Sequence, residues 1–163
     1  MKQVWLLIAL IFFMPVVHAR EDGLQNLADQ LSEGLGHKIP LKVAVLALPH
    51  HDNRSSDGPL MVSERLTTLL AHEKNILIIE RNHLVQTFQA NGLSETGPLD
   101  SDTTKLMGQI LGADVLVIGT LINLSGNKTE VNVRGINAST GQVLAAARAL
   151  IDRNWDDRPV LAW

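Results

Sequence analysis

The chain has 163 residues, no cysteine, 45% hydrophobic residues and a formal net charge of −3. That length suits a single domain with its own core, and the mild acidity without any basic block excludes free nucleic acid and an anionic membrane surface as partners. The absence of cysteine removes disulfides, so the fold must be held by packing, and it removes a thiol nucleophile as well.

Met1-Lys2 gives a positive start, Val4 to Val17 is an uninterrupted apolar run, and Val17-His18-Ala19 places small or apolar residues at the −3 and −1 positions of a cut after Ala19. This is the three-part layout of a secretory signal peptide, and the run is shorter than the ~20 residues that span a bilayer. Residues 1–19 are therefore expected to be removed, leaving a mature chain of charge about −4 that folds outside the cytoplasm. No later stretch is apolar enough to cross a membrane, and no cysteine follows the leader to take a lipid. The expected organisation is a signal peptide at 1–19, an α/β domain at 20–152 and a C-terminal tail at 153–163.

Leu24, Leu27, Ala28, Leu31 and Leu35 fall on one face of a helix, with Asp22 as its N-cap and Gly36 as its stop. Val43 to Leu48 is apolar throughout and ends at Pro49, as a strand buried on both faces would. Pro49 to Pro59 is polar and turn-rich and predicts a loop. Val62, Leu66, Leu69 and Leu70 predict a second amphipathic helix. Ile76 to Ile79 predicts a second buried strand, rich in β-branched residues. Leu84, Val85 and Phe88 mark a third helix ending at Gly92. After Gly97-Pro98-Leu99-Asp100, a short helix places Leu106, Met107, Ile110 and Leu111 on one side and stops at Gly112. Val115 to Ile118 follows as a third buried strand. Val131 and Val133 then alternate with Glu130, Asn132 and Arg134, a strand with one wet face, and Ser139-Thr140-Gly141 turns the chain into a returning strand from Val143 to Ile151. The Ala145-Ala146-Ala147 run would also suit a helix, but the preceding turn and the β-branched ends favour a strand. Together these elements predict an α/β fold: one mixed sheet of about five strands, three parallel and then closed by antiparallel hairpins, with helices packed on it.

Five segments in this order resemble a known family. Ser63-Glu64-Arg65-Leu66-Thr67 with Leu69-Leu70 opens a helix. Ile78-Ile79-Glu80-Arg81 with Leu84 joins a strand to the next helix, and Leu93 with Gly97 precedes the fourth. Leu111-Gly112-Ala113-Asp114 runs through Val115-Leu116-Val117-Ile118 to Gly119-Thr120, and Thr140-Gly141-Gln142-Val143 forms the hairpin. The series, covering Leu24 to about Ile151, is similar to the FlgO domain family and more distantly to the periplasmic domain of the curli secretion protein CsgG and the amino-terminal domain of TolB. The resemblance implies an envelope protein of Gram-negative bacteria, associated with the outer membrane and with flagellar or other surface structures, without enzymatic activity. Many relatives carry a lipid-attachment cysteine after the leader, and this chain departs from them there.

Among chemistry-bearing residues, His50, Asp52 and Asp57 lie just beyond the first predicted strand, where open α/β sheets bind ligands. They form the one candidate small-ligand or metal loop, although adjacent His50 and His51 in an extended segment point to opposite sides and would chelate poorly. A solvated loop is the plainer expectation there. Glu80 and Arg81 sit at a strand-to-helix junction, where an acidic group suits the helix dipole and Arg81 can pair across a loop. No glycine-rich phosphate loop occurs, and no G-x-S-x-G elbow. Four N-x-[ST] sequons, at Asn53, Asn123, Asn127 and Asn137, are read as turn-formers in a bacterial protein. Trp155 and Trp163 are the only tryptophans after the leader. They form either a clasp over the chain's own core or an anchor for a partner.

The resulting expectation is a non-catalytic periplasmic assembly or scaffolding protein, peripheral to the outer membrane and serving a surface structure, in particular the flagellum. Its partners would be envelope or flagellar proteins or further copies of itself, with no cofactor and no nucleic acid. The alternative is a periplasmic small-ligand or metal-binding module using the loop at His50, Asp52 and Asp57.

Overall fold

The computed structural model describes residues 23–36, 39–95 and 100–157; the leader, Asp22, Gly97-Pro98-Leu99, and the end of the tail with Trp163 lie outside them. The elements run α1 (Gly23–Leu35), β1 (Leu41–Val45), α2 (Gly58–Leu70), β2 (Ile76–Ile78), α3 (Arg81–Ala90), α4 (Ser101–Leu111), β3 (Val115–Asn123), β4 (Lys128–Asn137) and β5 (Val143–Asp152). They form one five-stranded sheet in the order β2-β1-β3-β4-β5. β1 pairs in parallel with both β2 and β3, and β3-β4-β5 is an antiparallel meander. The mixed α/β sheet expected from the alternation of periods is the sheet observed.

Two apolar layers hold the helices to the sheet. On one face Leu24, Leu27, Ala28 and Leu31 of α1, with Val62, Leu66 and Leu70 of α2, pack on Val43, Val45, Val115, Val117, Val131 and Val133. On the other, Leu84 and Phe88 of α3 and Met107 and Leu111 of α4 pack on Ala44, Leu46 and Leu116. β1 therefore feeds both cores through alternate residues, which is why its sequence is apolar without interruption. The helix ends follow local chemistry. The Glu80 carboxylate accepts the His83 N–H at 3.1 Å and starts α3, the Asp100 carboxylate accepts the Thr103 N–H at 2.7 Å and starts α4, and Gly112 ends α4 at φ 62°.

Four expectations need correction. β2 is an edge strand of three residues, and Leu77 is 51% exposed because it points to the same face as its exposed partner Lys42 on β1, which nothing among the described residues covers there. In α4, Leu106 is 46% exposed, and Thr104 and Gly108 share the buried face with Met107 and Leu111. Gly108 permits this closeness, since a Cβ there would stand 2.4 Å from that of Ala138. α2 starts at Gly58, with Pro59 in its first turn, so the loop is shorter than the prolines suggested. β3 runs on to Asn123, five residues beyond the predicted apolar core of the strand.

Candidate functional site

Beyond Val45 the chain does not leave the sheet. Leu46 donates its N–H to Val117, and His51 donates to the Leu121 carbonyl, while Leu121 donates to that of Pro49. Val45 aligns with Val117 but His50 with Leu121, so the β1 side holds one residue more than β3 over the same span. The Ala47 N–H faces away from β3, past the end of β2, and the Glu95 carboxylate accepts it at 2.9 Å. Arg81 holds Glu95 at 3.0 Å and reaches Glu64 of α2 at 3.1 Å. Arg81 thus pairs across the carboxyl end of β1, the point where successive crossovers diverge to β2 and β3 and where α/β sheets receive ligands.

The same irregularity carries His50 inward. Its side chain is 2% exposed, so the solvated-loop expectation fails for this residue, although His51, Asp52 and Asp57 do face solvent. His50 Nε2 lies 2.7 Å from the Ser56 hydroxyl, whose oxygen also accepts the Gly58 N–H at 3.1 Å. His50 Nδ1 is buried with no partner among the described residues. Removal from water lowers the His50 pKa from 6.5; Asp157 and Asp52 act to raise it, and Arg54 and Arg153 to lower it further.

The ring across from His50 is Trp155, 6.4 Å away between centroids and tilted by 47°. After β5 the chain folds back, and Trp155, 8% exposed, joins the core under α1 and α2. It lies flat over Gly58, where a Cβ would come within 2.3 Å of the indole. The predicted ligand loop and the first tryptophan of the tail therefore meet in one structure. Asp157 fastens it: its carboxylate accepts Arg54 Nη1 at 2.8 Å and Asn123 Nδ2 at 3.0 Å, and Arg153 stands 3.5 Å away. Asn123 in turn accepts the hydroxyl of the buried Thr129, and Asn127 exchanges backbone and side-chain bonds with Arg153. Arg54 also grips Asp52, with Nε donating at 2.8 Å, which pulls the Asp52 carboxyl down to about 2.

This arrangement closes the carboxyl end of β1 and β3 with the protein's own side chains. Asp52 spends its charge on Arg54, and Asp57 occupies the N-cap position of α2 on the outside, away from the buried His50. No group of three or more His, Cys, Asp or Glu side chains converges as a metal site among the described residues. Glu80 caps α3 and Arg81 pairs with Glu95 and Glu64, while Arg81 Nη1 is buried with no partner among the described residues. Asn53 and Asn127 adopt left-handed backbone, and the Asn137 side-chain Oδ1 caps the β4–β5 turn by accepting the Ser139 and Thr140 N–H groups, so these three sequon asparagines form turns. Sequence reasoning missed Ser56, Gly58, Glu95, Asn123 and Asp157. The paired glutamate and aspartate carry no local pattern, and only Gly58, next to a proline before an apolar helix, gave a signal.

The chain is 16% identical to the C-terminal domain of LpoB from Salmonella enterica, with a TM-score of 0.66 over 80% of this chain and 96% of that one. The NMR structure of LpoB from E. coli superposes with a TM-score of 0.63 at 15% identity, covering 96% of this chain and 80% of that one. Lipoprotein GNA1162 from Neisseria meningitidis gives 0.56 at 16% identity, over 70% and 81% of the two chains. At these identities the likeness is one of fold. No curated protein matches by sequence. The family model described as curli production assembly/transport component CsgG matches residues 46–130.

Proposed function

The chain belongs to the family of the curli production assembly/transport component CsgG, and on that premise we propose that it is a non-catalytic assembly or scaffolding protein of the bacterial envelope, periplasmic and peripheral to the outer membrane. The observation that carries this reading is the closure of the sheet's carboxyl end. Where an α/β enzyme or receptor opens a crevice, His50, Trp155 and the Arg54–Asp157 pair fill the space, so binding falls to the outer surfaces. In this proposal residues 1–19 are the removed leader, 20–152 are the working domain, and 153–163 are a tail whose first part serves as the clasp. No described helix is long and apolar enough to cross a membrane. The ordered likeness to the FlgO domain supports the flagellum as the structure served.

The alternative, a ligand or metal module built on His50, Asp52 and Asp57, draws no support from a buried histidine and an aspartate already committed to Arg54. Deleting the gene and scoring swimming and flagellation tests the finer reading. Loss of motility, restored by the intact chain, is the expected result. Normal motility and normal flagella would remove the flagellar assignment and leave the envelope reading to be judged on its own.

A further inference from the structure

α3 and α4 cover only part of their face of the sheet. Over β4 and β5 that face carries no helix, and Arg134, Ala146, Arg148 and Leu150 are exposed on it. A groove of about 490 Å³ crosses the strands there, with Gln30 of α1 also in its lining. The register explains its form. Gly119, Val133 and Ala147 lie in one row across β3, β4 and β5, and the side chains of Val133 and Ala147 point into the opposite core, so this row offers the groove mainly backbone as a floor. On one side stands the row Thr120–Asn132–Arg148, and on the other Arg134 with Ala146. The two arginines thus bracket the floor from opposite walls.

Their charges are not fully spent within the chain. Arg134 has no ion-pair partner among the described residues. Arg148 Nη1 makes a loose ion pair with Glu130 Oε2 at 3.6 Å, beyond hydrogen-bond length, while the other oxygen of that carboxylate accepts the Asn132 amide at 2.9 Å. One unpaired guanidinium, Arg134, and one exposed and only loosely paired, Arg148, on a protein of net negative charge are a local attractor for carboxylates, which arginine binds in a two-pronged geometry. The groove is open along the bare sheet, whereas small-molecule sites enclose most of their ligand. The exposed Leu144 and Leu150 on β5 add an apolar rim that a free carboxylate would not use.

We infer that this groove is a docking site for an acidic segment of a protein partner, whose carboxylates are clamped between Arg134 and Arg148. The inference does not depend on which surface structure the protein serves. The test is fluorescence anisotropy on the full mature chain at low salt, with a fluorescein-labelled peptide of three Leu-Glu repeats as probe and three Leu-Gln repeats as its neutral counterpart. The acidic peptide is expected to bind at least tenfold more tightly than the neutral one and to weaken as salt is added. The Arg134→Gln/Arg148→Gln pair should lose at least tenfold, with the far-ultraviolet circular dichroism unchanged. If the double variant is unstable, each single variant should still weaken binding. Equal binding of the two peptides, an affinity untouched by the substitutions, complete displacement by millimolar succinate, or no saturation at all would overturn the inference.

Discussion

Protonating His50 would place a second N–H in a pocket where, among the described residues, Ser56 is the hydrogen-bond partner of the ring. Burial therefore holds the folded-state pKa below the unfolded value of 6.5, with Asp157, Asp52, Arg54 and Arg153 as the charged groups facing the ring. The sign follows from proton counting. Below 6.5 the unfolded chain binds a proton that the folded one resists, so this contribution is complete above 6.5 and is lost as pH falls through the lowered folded pKa. Urea titrations at successive pH values should show stability declining below 6.5, with His50→Gln flattening the decline; an unchanged slope in that variant would exclude His50 as its source. The facing ring gives a second expectation. Trp155→Ala should cost about 3 kcal/mol, as buried aromatic truncations do, read as a lower denaturation midpoint. A loss under about 0.5 kcal/mol, the range of ordinary surface substitutions, would mean that Trp155 is no part of the core. The burial of Trp155 was one of the two readings its aromatic character offered in the sequence, whereas that of His50 was not legible there. His50 turns inward because one extra residue is inserted after Val45, and nothing in Leu46-Ala47-Leu48-Pro49 marks which of the four is extra.

At the scale of elements, the clasp depends on α2 beginning with a residue that has no side chain. Gly58→Val should overpack the indole of Trp155, costing about 1–3 kcal/mol and altering the near-ultraviolet dichroism of that tryptophan. Full stability with an unchanged spectrum would show that the tail does not rest on α2. Most elements could be read from periodicity alone: α1 shows the 3.6-residue repeat, and β1 shows the apolar run of a strand that faces two cores. The misreadings have a common physical cause. A short apolar run such as Ile76-Leu77-Ile78-Ile79 has the same composition at the edge of a sheet as at its centre, and only what packs on each face there decides which side chains are covered. The far half of β3 was missed for the complementary reason. Gly119 and Thr120 interrupt its hydrophobicity, yet they pair with Val133 and Asn132 as regularly as the residues before them.

The whole molecule is one sheet with two unequal faces. One face is covered along its length by α1 and α2, and the other is covered only over β1 and the near half of β3, leaving the β4–β5 face to solvent. The order of elements and the mixed pairing could be derived from the chain, because β-α-β alternation allows few topologies and the wet-faced β4 announces the antiparallel edge. The meeting of the His50 loop with the tail could not be derived, since it joins residues about a hundred positions apart through Arg54 and Asp157. Membership of the CsgG family and a sealed sheet end together make surface recognition in the envelope the central claim. Its most direct test is fractionation of cells carrying a tagged full-length copy at the native locus, followed by flotation of the membranes. The expected result is a processed protein that is protected inside the outer membrane and floats with it or with flagellar basal bodies. A protein found wholly in the soluble fraction, cytoplasmic or periplasmic, would contradict it.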